Sequence, residues 1–489
     1  MRAVPAAWLF LLYWALLLVP CTATHAQQEA PRAAEPESPP PPPPTFWEEE
    51  LEQAPQIKPS TPPVVPLFTP DPETLLGRRM KEYFDPSPQS VIKAIFGFVL
   101  LLWLAYLASH KRVREFERRL GVAHFATTGL PFLLLGLVAS QPQVGILSPP
   151  VMREIGPLLI LGLGWIGFFV GFRFNAALLD DAPPGTATAV GLATGVPFVA
   201  ITVLCGLGML AANVAQADWP LVRDALILGT AGAITARSAP YLWESSFGIV
   251  ELRRISRLTE LERVVGVIGL MLVGAYFRPQ GAAVAWQLPG TAWLFITFGV
   301  GTMTGGVIYA LMAKARGAAE FLVVLLGSIA FAAGLGSFLR LSALVVCFIA
   351  GVIVVNLPGG WKGPAGDLLD RLERPIYFLF LTIAGALWDP GDWRGWALML
   401  LFVTARLGGK WLAAVLHRKR GLYEAALRER QFMILGPMGS ISLAIVINAQ
   451  DLFLEERISW IVTAVIGGAI LSEILVQAVL RGGPSARPE

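Results

Sequence analysis

The 489-residue sequence contains few cysteines and few charged residues. Its cysteines, Cys21, Cys205 and Cys347, are far apart, so they form neither a disulfide framework nor a zinc-binding spacing. Charged residues make up 15% of the chain, against about 25% in soluble domains. The net charge of +3 is too small to indicate a nucleic-acid partner. A phosphate-binding loop of the GxxxxGK(S/T) type is absent, so ATP-driven transport has no support. We predict no cofactor, no metal site and no enzymatic activity.

Residues 1–26 have the features of a secretory signal peptide. Arg2 precedes an apolar stretch from Ala7 to Val19, and small residues around Ala26 offer a cleavage site. The alternative is an uncleaved first membrane span. Residues 27–90 differ in composition, with six consecutive prolines from Pro39 to Pro44 and the acidic run Glu48–Glu50. Such a segment cannot bury a core, which predicts an exported, disordered arm acting as a spacer or as a contact for a partner.

Residues 91–480 form a nearly continuous series of apolar stretches, which predicts an all-α polytopic membrane protein. A membrane-spanning helix needs ~20 mostly apolar residues. About thirteen spans fit this requirement, at 91–109, 125–140, 157–174, 187–212, 220–242, 264–277, 289–313, 320–338, 341–357, 375–388, 395–417, 432–450 and 457–480. The lipid bilayer is therefore the first predicted partner.

Basic residues alternate between the predicted loops. One set of loops carries clusters such as Lys111–Arg119, Arg253–Arg263 and Arg418–Arg430. The opposite set carries about one basic residue each: Arg153, Arg223, Arg278, Arg340, Arg394 and Arg457. The positive-inside rule then places the N-terminal arm outside the inner (plasma) membrane and residues 481–489 in a cytoplasmic tail.

Two of the predicted spans look interrupted. Residues 226–243 and 432–450 place small residues, hydroxyl groups and a proline in the middle of the membrane. Pro437 lacks a backbone donor, and Gly436 and Gly439 permit an unwound path. Paired broken helices in the two halves of a transporter mark a binding site. The alternative is close packing of helices through small residues.

Several motifs in this order resemble the monovalent cation:proton antiporter superfamily, which includes the sodium/proton exchangers. The resemblance covers roughly residues 85–480 and is carried by the segments TGLPFLLLGLVAS, LGWIGFFVGFRFN, LRLSALVVCFIAGVIVVN, PIYFLFLTIAGALWD, TARLGGKWLAA and GPMGSISLAIV. It implies inverted repeats, a homodimer, a core domain that moves against a scaffold domain, and two broken helices that cross beside an ion-binding acidic residue. The residues that match the two unwound segments are Ala233, Thr235, Arg237 and Ser238, and Gly436, Pro437, Gly439 and Ser440.

The sequence departs from this family where the acidic residues are expected. Val265 and Gly266 occupy that place, and Glu262 is the nearest carboxylate, about one turn earlier at the expected cytoplasmic edge. Arg237 is a second departure, because a guanidinium at the crossover repels cations. It either snorkels to the surface or pairs with a carboxylate, and we predict that it lies close enough to Glu262 to interact.

Three further ionisable residues lie within predicted spans. Arg406 and Lys410 are one turn apart in the eleventh span, where the resemblance places a basic residue beside the ion site. Lys410 is the better proton-linked candidate because a buried lysine can lose its proton and an arginine cannot. Glu473 lies in the last span and is predicted to pair with Arg237 or Lys410, or to form a packing ion pair. The alternative for the two basic residues is that both face the inner leaflet.

The sequence therefore predicts a proton-coupled antiporter for sodium or potassium. One alternative is a transport-inactive homologue that acts as a sensor or assembly subunit, which the missing acidic pair favours. Another is a generic substrate permease, which would explain Arg237 if the solute were an anion. The two interrupted spans favour the antiporter.

Overall fold

The structure of the chain is a computed structural model. It describes Val99 and residues 129–144, 146–147, 149–176, 185–212, 218–237, 239–242, 249–278, 288–315, 317–419, 434–453 and 456–482. All regular secondary structure in these residues is helical. The predicted signal peptide, the proline-rich arm and the first span lie outside them apart from Val99, as does most of the predicted C-terminal tail.

Thirteen α-helices are formed by the described residues. They are α1 (Leu130–Ala139), α2 (Pro149–Arg173), α3 (Thr186–Ala211), α4 (Trp219–Ala233), α5 (Ala239–Leu242), α6 (Ile249–Tyr276), α7 (Gly290–Met312), α8 (Ala318–Phe338), α9 (Ala343–Asn356), α10 (Lys362–Leu387), α11 (Trp393–Lys419), α12 (Ser440–Leu452) and α13 (Glu456–Gly482). Within the described residues, six segments are long and apolar enough to cross a membrane, and they belong to α2, α3, α7, α8, α11 and α13. The prediction of an all-helical membrane protein is confirmed.

Both predicted helix breaks are present. Helix α4 ends at Ala233, the next residue Ile234 has extended backbone, and helical structure resumes in the short α5. Extended backbone also precedes α12, whose first residue follows Gly439. Since α4 and α5 together form one broken span, twelve of the thirteen predicted spans have a counterpart among the described helices.

The helices pack as two groups with α6 between them. We call α3, α4, α11, α12 and α13 the crossover bundle, because they pack on one another and include both broken spans. Helices α1, α2, α7, α8, α9 and α10 form the flanking bundle. Helix α6 contacts members of both groups, and α12 reaches α2 and α9. The breaks therefore lie close to the boundary between the two bundles.

Glycines allow the helices of the flanking bundle to approach closely. A Cβ atom added at Gly167 of α2 would lie 2.0 Å from the carbonyl oxygen of Leu344, at the start of α9. One turn later, a Cβ atom at Gly171 would lie 2.0 Å from the carbonyl oxygen of Phe348. Small residues at such contacts let two backbones pack directly, as in other membrane helix pairs.

Helices α6 and α10 extend furthest beyond their predicted spans. Helix α6 begins at Ile249 rather than near residue 264, and α10 begins at Lys362 and continues through Pro375. The extra turns carry charged side chains that hydropathy assigns to loops. Many of these charges are paired in the folded protein, as Glu260 is with Arg263 on α6, and the pairing lets the helices continue.

Candidate functional site

The two unwound segments touch each other. The backbone N–H of Ala236 donates to the carbonyl oxygen of Pro437 at 2.8 Å. A Cβ atom at Gly439 would lie 2.9 Å from the Cα atom of Ala236, so a glycine is needed at this contact. Unwound backbone inside a membrane protein must find partners within the protein, and here each segment supplies one for the other.

Arg406 of α11 binds the backbone of both segments. Its Nε donates to the carbonyl of Gly232 at 2.8 Å, and its Nη2 donates to the carbonyls of Ile234 and Gly436 at 3.3 and 2.8 Å. The side chain is 1% exposed. These carbonyls belong to the ends of interrupted helices, where the helix dipole leaves about half a negative charge. One permanent guanidinium charge therefore offsets two helix ends.

Lys410, one turn from Arg406, lies in a shell of oxygen atoms. Its Nζ lies 3.1 Å from the carbonyl oxygen of Ala193 in α3 and 3.1 Å from the hydroxyl oxygen of Thr235. It also lies 3.4 and 3.3 Å from the two carboxylate oxygens of Glu262. The backbone N–H of Thr235 donates to Glu262 at 3.1 Å. Lys410 and Glu262 are both buried, so this ion pair is shielded from solvent.

This arrangement bears on three expectations. Glu262 is buried near the middle of α6 and reaches the crossover directly. Arg406 and Lys410 do not face the inner leaflet, because both are buried and bonded to the broken spans. The prediction that Arg237 contacts Glu262 is also wrong, since Arg237 pairs with other carboxylates.

Gly266 could not be replaced by an aspartate without rearrangement. A Cβ atom at this position would lie 2.0 Å from the Cδ1 atom of Ile234, which occupies the neighbouring space. Val265 packs instead against the buried cluster that includes Val190 and Leu258. The carboxylate of Glu262, one turn earlier, lies beside Thr235.

Arg237 forms a second charged cluster next to the first. Its Nε lies 3.4 Å from Glu260 of α6, and its Nη1 lies 3.1 Å from Glu373 of α10. Its guanidinium also lies over the ring of Phe169 in α2, at 5.3 Å from the ring centroid. Arg237 pairs with carboxylates, as expected, but these are Glu260 and Glu373 rather than Glu262.

The other candidate residues are placed as follows. Gly436 and Pro437 lie in the second unwound segment and act through their carbonyl oxygens. Ser440 is the first residue of α12 and is half-buried. Ser238 lies outside the described residues. Glu473 of α13 is 1% exposed, and its pairing with Arg237 or Lys410 stays a prediction.

Several residues at the site have no clear signal in the sequence. Ala193 acts only through its backbone carbonyl, which any residue could supply. Glu260 and Glu373 lie in stretches that hydropathy assigns to loops. Away from the site, a buried ion pair joins Arg223 and Asp224, which lie 2.7 Å apart near the start of α4, whereas the sequence pattern places Arg223 in an outer loop. The arginine next to the aspartate could have indicated a pair.

Comparison with solved structures gives a consistent match. The chain is similar to the structure of the sodium proton antiporter MjNhaP1 from Methanocaldococcus jannaschii at pH 8, with a TM-score of 0.56 and 15% sequence identity. The match covers 80% of this chain and 98% of the antiporter. A structure of the same antiporter from an electron-microscopy map matches with a TM-score of 0.52 and 16% identity, over 81% of this chain and 99% of that one. The described chain has a sodium/proton antiporter fold.

No family model matches the chain, and no curated protein matches it at the level of sequence. The sodium/proton antiporter fold is thus visible through three-dimensional similarity and through the ordered motifs. Both broken helices predicted from the sequence are present in this fold, and the inverted-repeat architecture stays a prediction.

Proposed function

We propose that the chain is a proton-coupled antiporter for a monovalent cation, sodium or potassium, and that Glu262 and Lys410 form its exchange site. The observation that carries the proposal is the oxygen shell around Lys410. Its ammonium group is held by a carbonyl, a hydroxyl and two carboxylate oxygens, at 3.1 to 3.4 Å. Oxygen atoms of these kinds are also the ligands of hard cations.

The ammonium group of Lys410 and the transported cation compete for the same carboxylate, that of Glu262. When Lys410 is protonated, its ammonium neutralises Glu262. When a cation binds between Glu262 and the hydroxyl of Thr235, the site holds two positive charges unless Lys410 gives up its proton. Glu262 neutralises only one of these two charges, and an uncompensated positive charge in a buried site is costly, so cation binding and proton release are coupled. A single carboxylate and a single lysine predict exchange of one proton for one cation.

Arg406 keeps the rest of the site electrically balanced during this exchange. An arginine remains charged at all physiological pH values. Its three bonds to backbone carbonyls hold the ends of the interrupted helices in place whether Lys410 is charged or neutral. We therefore assign Arg406 a positioning role and keep proton transfer for Lys410.

The proposal includes a location and an assembly that rest on the sequence. The chain is a homodimer in the inner membrane, with residues 27–90 exported and residues 481–489 in the cytoplasm. Protons enter down their electrochemical gradient while sodium or potassium leaves. Clustering of basic residues in alternate loops supports this orientation.

The decisive experiment measures proton movement in proteoliposomes on addition of sodium, potassium or lithium. The parent protein is expected to move protons with at least one of these ions. Glu262→Gln should abolish this movement, because the amide cannot neutralise a cation. Glu320→Gln is the matched control, since Glu320 is an exposed residue in the first turn of α8.

Two results contradict the proposal. Unchanged cation-dependent proton movement in Glu262→Gln would remove Glu262 from the exchange site. Absence of proton movement in folded parent protein with all three ions would favour a transport-inactive homologue that acts as a sensor or assembly subunit.

A further inference from the structure

We propose that the ion pair between Arg237 and Glu373 is a latch that closes one side of the exchange site. This inference rests on the exchange proposed above and adds the device that controls access to it. Glu262 is 3% exposed, so an ion reaches it only when neighbouring helices separate. The contacts that must open are those between the crossover bundle and the flanking bundle.

Arg237 links these two bundles. It lies between α4 and α5 in the broken span, whereas Glu373 and Phe169 belong to α10 and α2 of the flanking bundle. Its Nη1 lies 3.3 and 3.1 Å from the two carboxylate oxygens of Glu373, and its guanidinium covers the ring of Phe169. These contacts break if the broken span moves away from α10.

The latch and the exchange site share two short pieces of backbone. Arg237 is two residues from Thr235, which bonds to Lys410 and Glu262. Glu260, the second partner of Arg237, is two residues from Glu262 on α6. If Thr235 and Glu262 move on cation binding, the unwound segment that carries Arg237 and the turn of α6 that carries Glu260 therefore move with them. Coupling of this kind acts in both directions, so the state of the latch also changes the apparent affinity for the cation.

The opposite end of α10 is closed by neutral hydrogen bonds. The Nε1 of Trp388 donates to the hydroxyl oxygen of Thr463 in α13 at 3.0 Å, and Gln450 of α12 donates to the carbonyl of Leu387 at 3.4 Å. Glu373 and Leu387 are fourteen residues apart on one helix, about 21 Å at the α-helical rise. The Arg237 ion pair and these two hydrogen bonds therefore lie at opposite ends of the boundary between the bundles.

Glu373→Gln tests the latch, and Asp370→Asn is its control. Asp370 is one turn away on α10 and pairs with Arg173 of α2, so that ion pair lies within the flanking bundle and does not cross the boundary. Loss of the latch raises the population open on the Arg237 side. Cation added to that side should then half-saturate proton movement at a concentration lower by about fivefold or more.

The measurement uses proteoliposomes of determined orientation, with sodium or potassium added to each side in turn. The expected result is a lowered half-saturating concentration from the Arg237 side only, without a rise in the maximal rate. The double variant Arg237→Gln/Glu373→Gln should shift it by less than the sum of the two single shifts, because both changes remove the contact between Arg237 and Glu373. Equal behaviour of Glu373→Gln and Asp370→Asn, or a shift from both sides, would overturn the proposal.

A second readout does not depend on transport. Ser440→Cys, with the native cysteines replaced by alanine, places one thiol beside the crossover. Alkylation by a membrane-impermeant maleimide from the Arg237 side should be faster in Glu373→Gln by about fivefold or more, and unchanged in Asp370→Asn. If Glu373→Gln does not fold, Glu373→Asp takes its place, because the shorter side chain weakens the same contact. Faster alkylation, combined with no cation-dependent proton movement in the parent protein, would retain the latch and reject the exchange function, and unchanged alkylation would reject the latch.

Discussion

The backbone N–H of Ala236 donates to the carbonyl oxygen of Pro437 at 2.8 Å, and this bond joins the two interrupted helices at their crossing point. Pro437 is about two hundred residues from Ala236 in the sequence. The unwound backbone is thus satisfied by a partner from the other half of the fold rather than by solvent. The side chains of Arg406, Lys410 and Glu262 are arranged around this crossing.

Gly439→Ala should disrupt the crossing. The new Cβ atom would lie 2.9 Å from the Cα and 3.2 Å from the Cβ of Ala236, so the two backbones must separate. Overpacking of this kind costs about 1–3 kcal/mol. We expect a lower unfolding temperature in detergent and a loss of cation-dependent proton movement. Gly408→Ala is the control, because Gly408 is an exposed helical residue with no atom within 4 Å of an added Cβ. It should stabilise α11 by roughly 0.5–1 kcal/mol.

Arg406→Met should destabilise the protein strongly. The change leaves the carbonyls of Gly232, Ile234 and Gly436 without their donor, and each buried unpaired group costs about 1–3 kcal/mol. Arg406→Lys should restore little, because one ammonium group cannot bind both unwound segments in the same geometry. Thermal unfolding followed by circular dichroism measures the loss, and Arg418→Met at an exposed position of α11 serves as control. Similar unfolding temperatures for the Arg406 and Arg418 variants would contradict this role.

The sequence predicts the two helix breaks and the buried basic residues of the site, but it does not predict which side chains contact one another. Gly436, Pro437 and the small residues near Thr235 indicate the two breaks, because these residue types weaken a helix wherever they occur. The basic pair of Arg406 and Lys410 is also visible, because charged residues are rare inside apolar spans.

The partners of these charges could not be predicted in the same way. Glu262 lies in a charged stretch that hydropathy assigns to a loop edge, although α6 continues through it. Its distance to Lys410 depends on how α6 packs against α3 and α11, which are distant in sequence. Glu260, rather than Glu262, faces Arg237, since residues two apart point to different sides of a helix.

Asp224→Asn should reveal a structural ion pair away from the exchange site. Asp224 is fully buried, accepts hydrogen bonds from Arg223 at 2.9 and 2.7 Å, and lies 3.7 Å from Arg457. The change removes the carboxylate charge that lies 2.7 Å from the buried guanidinium of Arg223, at a cost of about 3–5 kcal/mol. Asp218→Asn is the control, because asparagine still caps α4 and only a partly exposed pair with Arg457 is lost. That change should cost at most about 1 kcal/mol. An equal loss of stability in both variants, measured by thermal unfolding, would contradict the prediction.

Lys410→Arg tests whether the site needs the positive charge of residue 410 or its ability to release a proton. The guanidinium keeps a positive charge beside Glu262, but it cannot release a proton in the physiological pH range. The variant should therefore fold, with a loss of about 1–3 kcal/mol from the larger side chain. Lys410→Met should lose more, about 3–5 kcal/mol, because it leaves the buried carboxylate of Glu262 without its partner. If proton release from Lys410 drives the exchange, Lys410→Arg abolishes cation-dependent proton movement in protein that remains folded at every pH tested. If Lys410 serves only as a structural partner of Glu262, the arginine variant retains that movement, and proton coupling must then reside in another group.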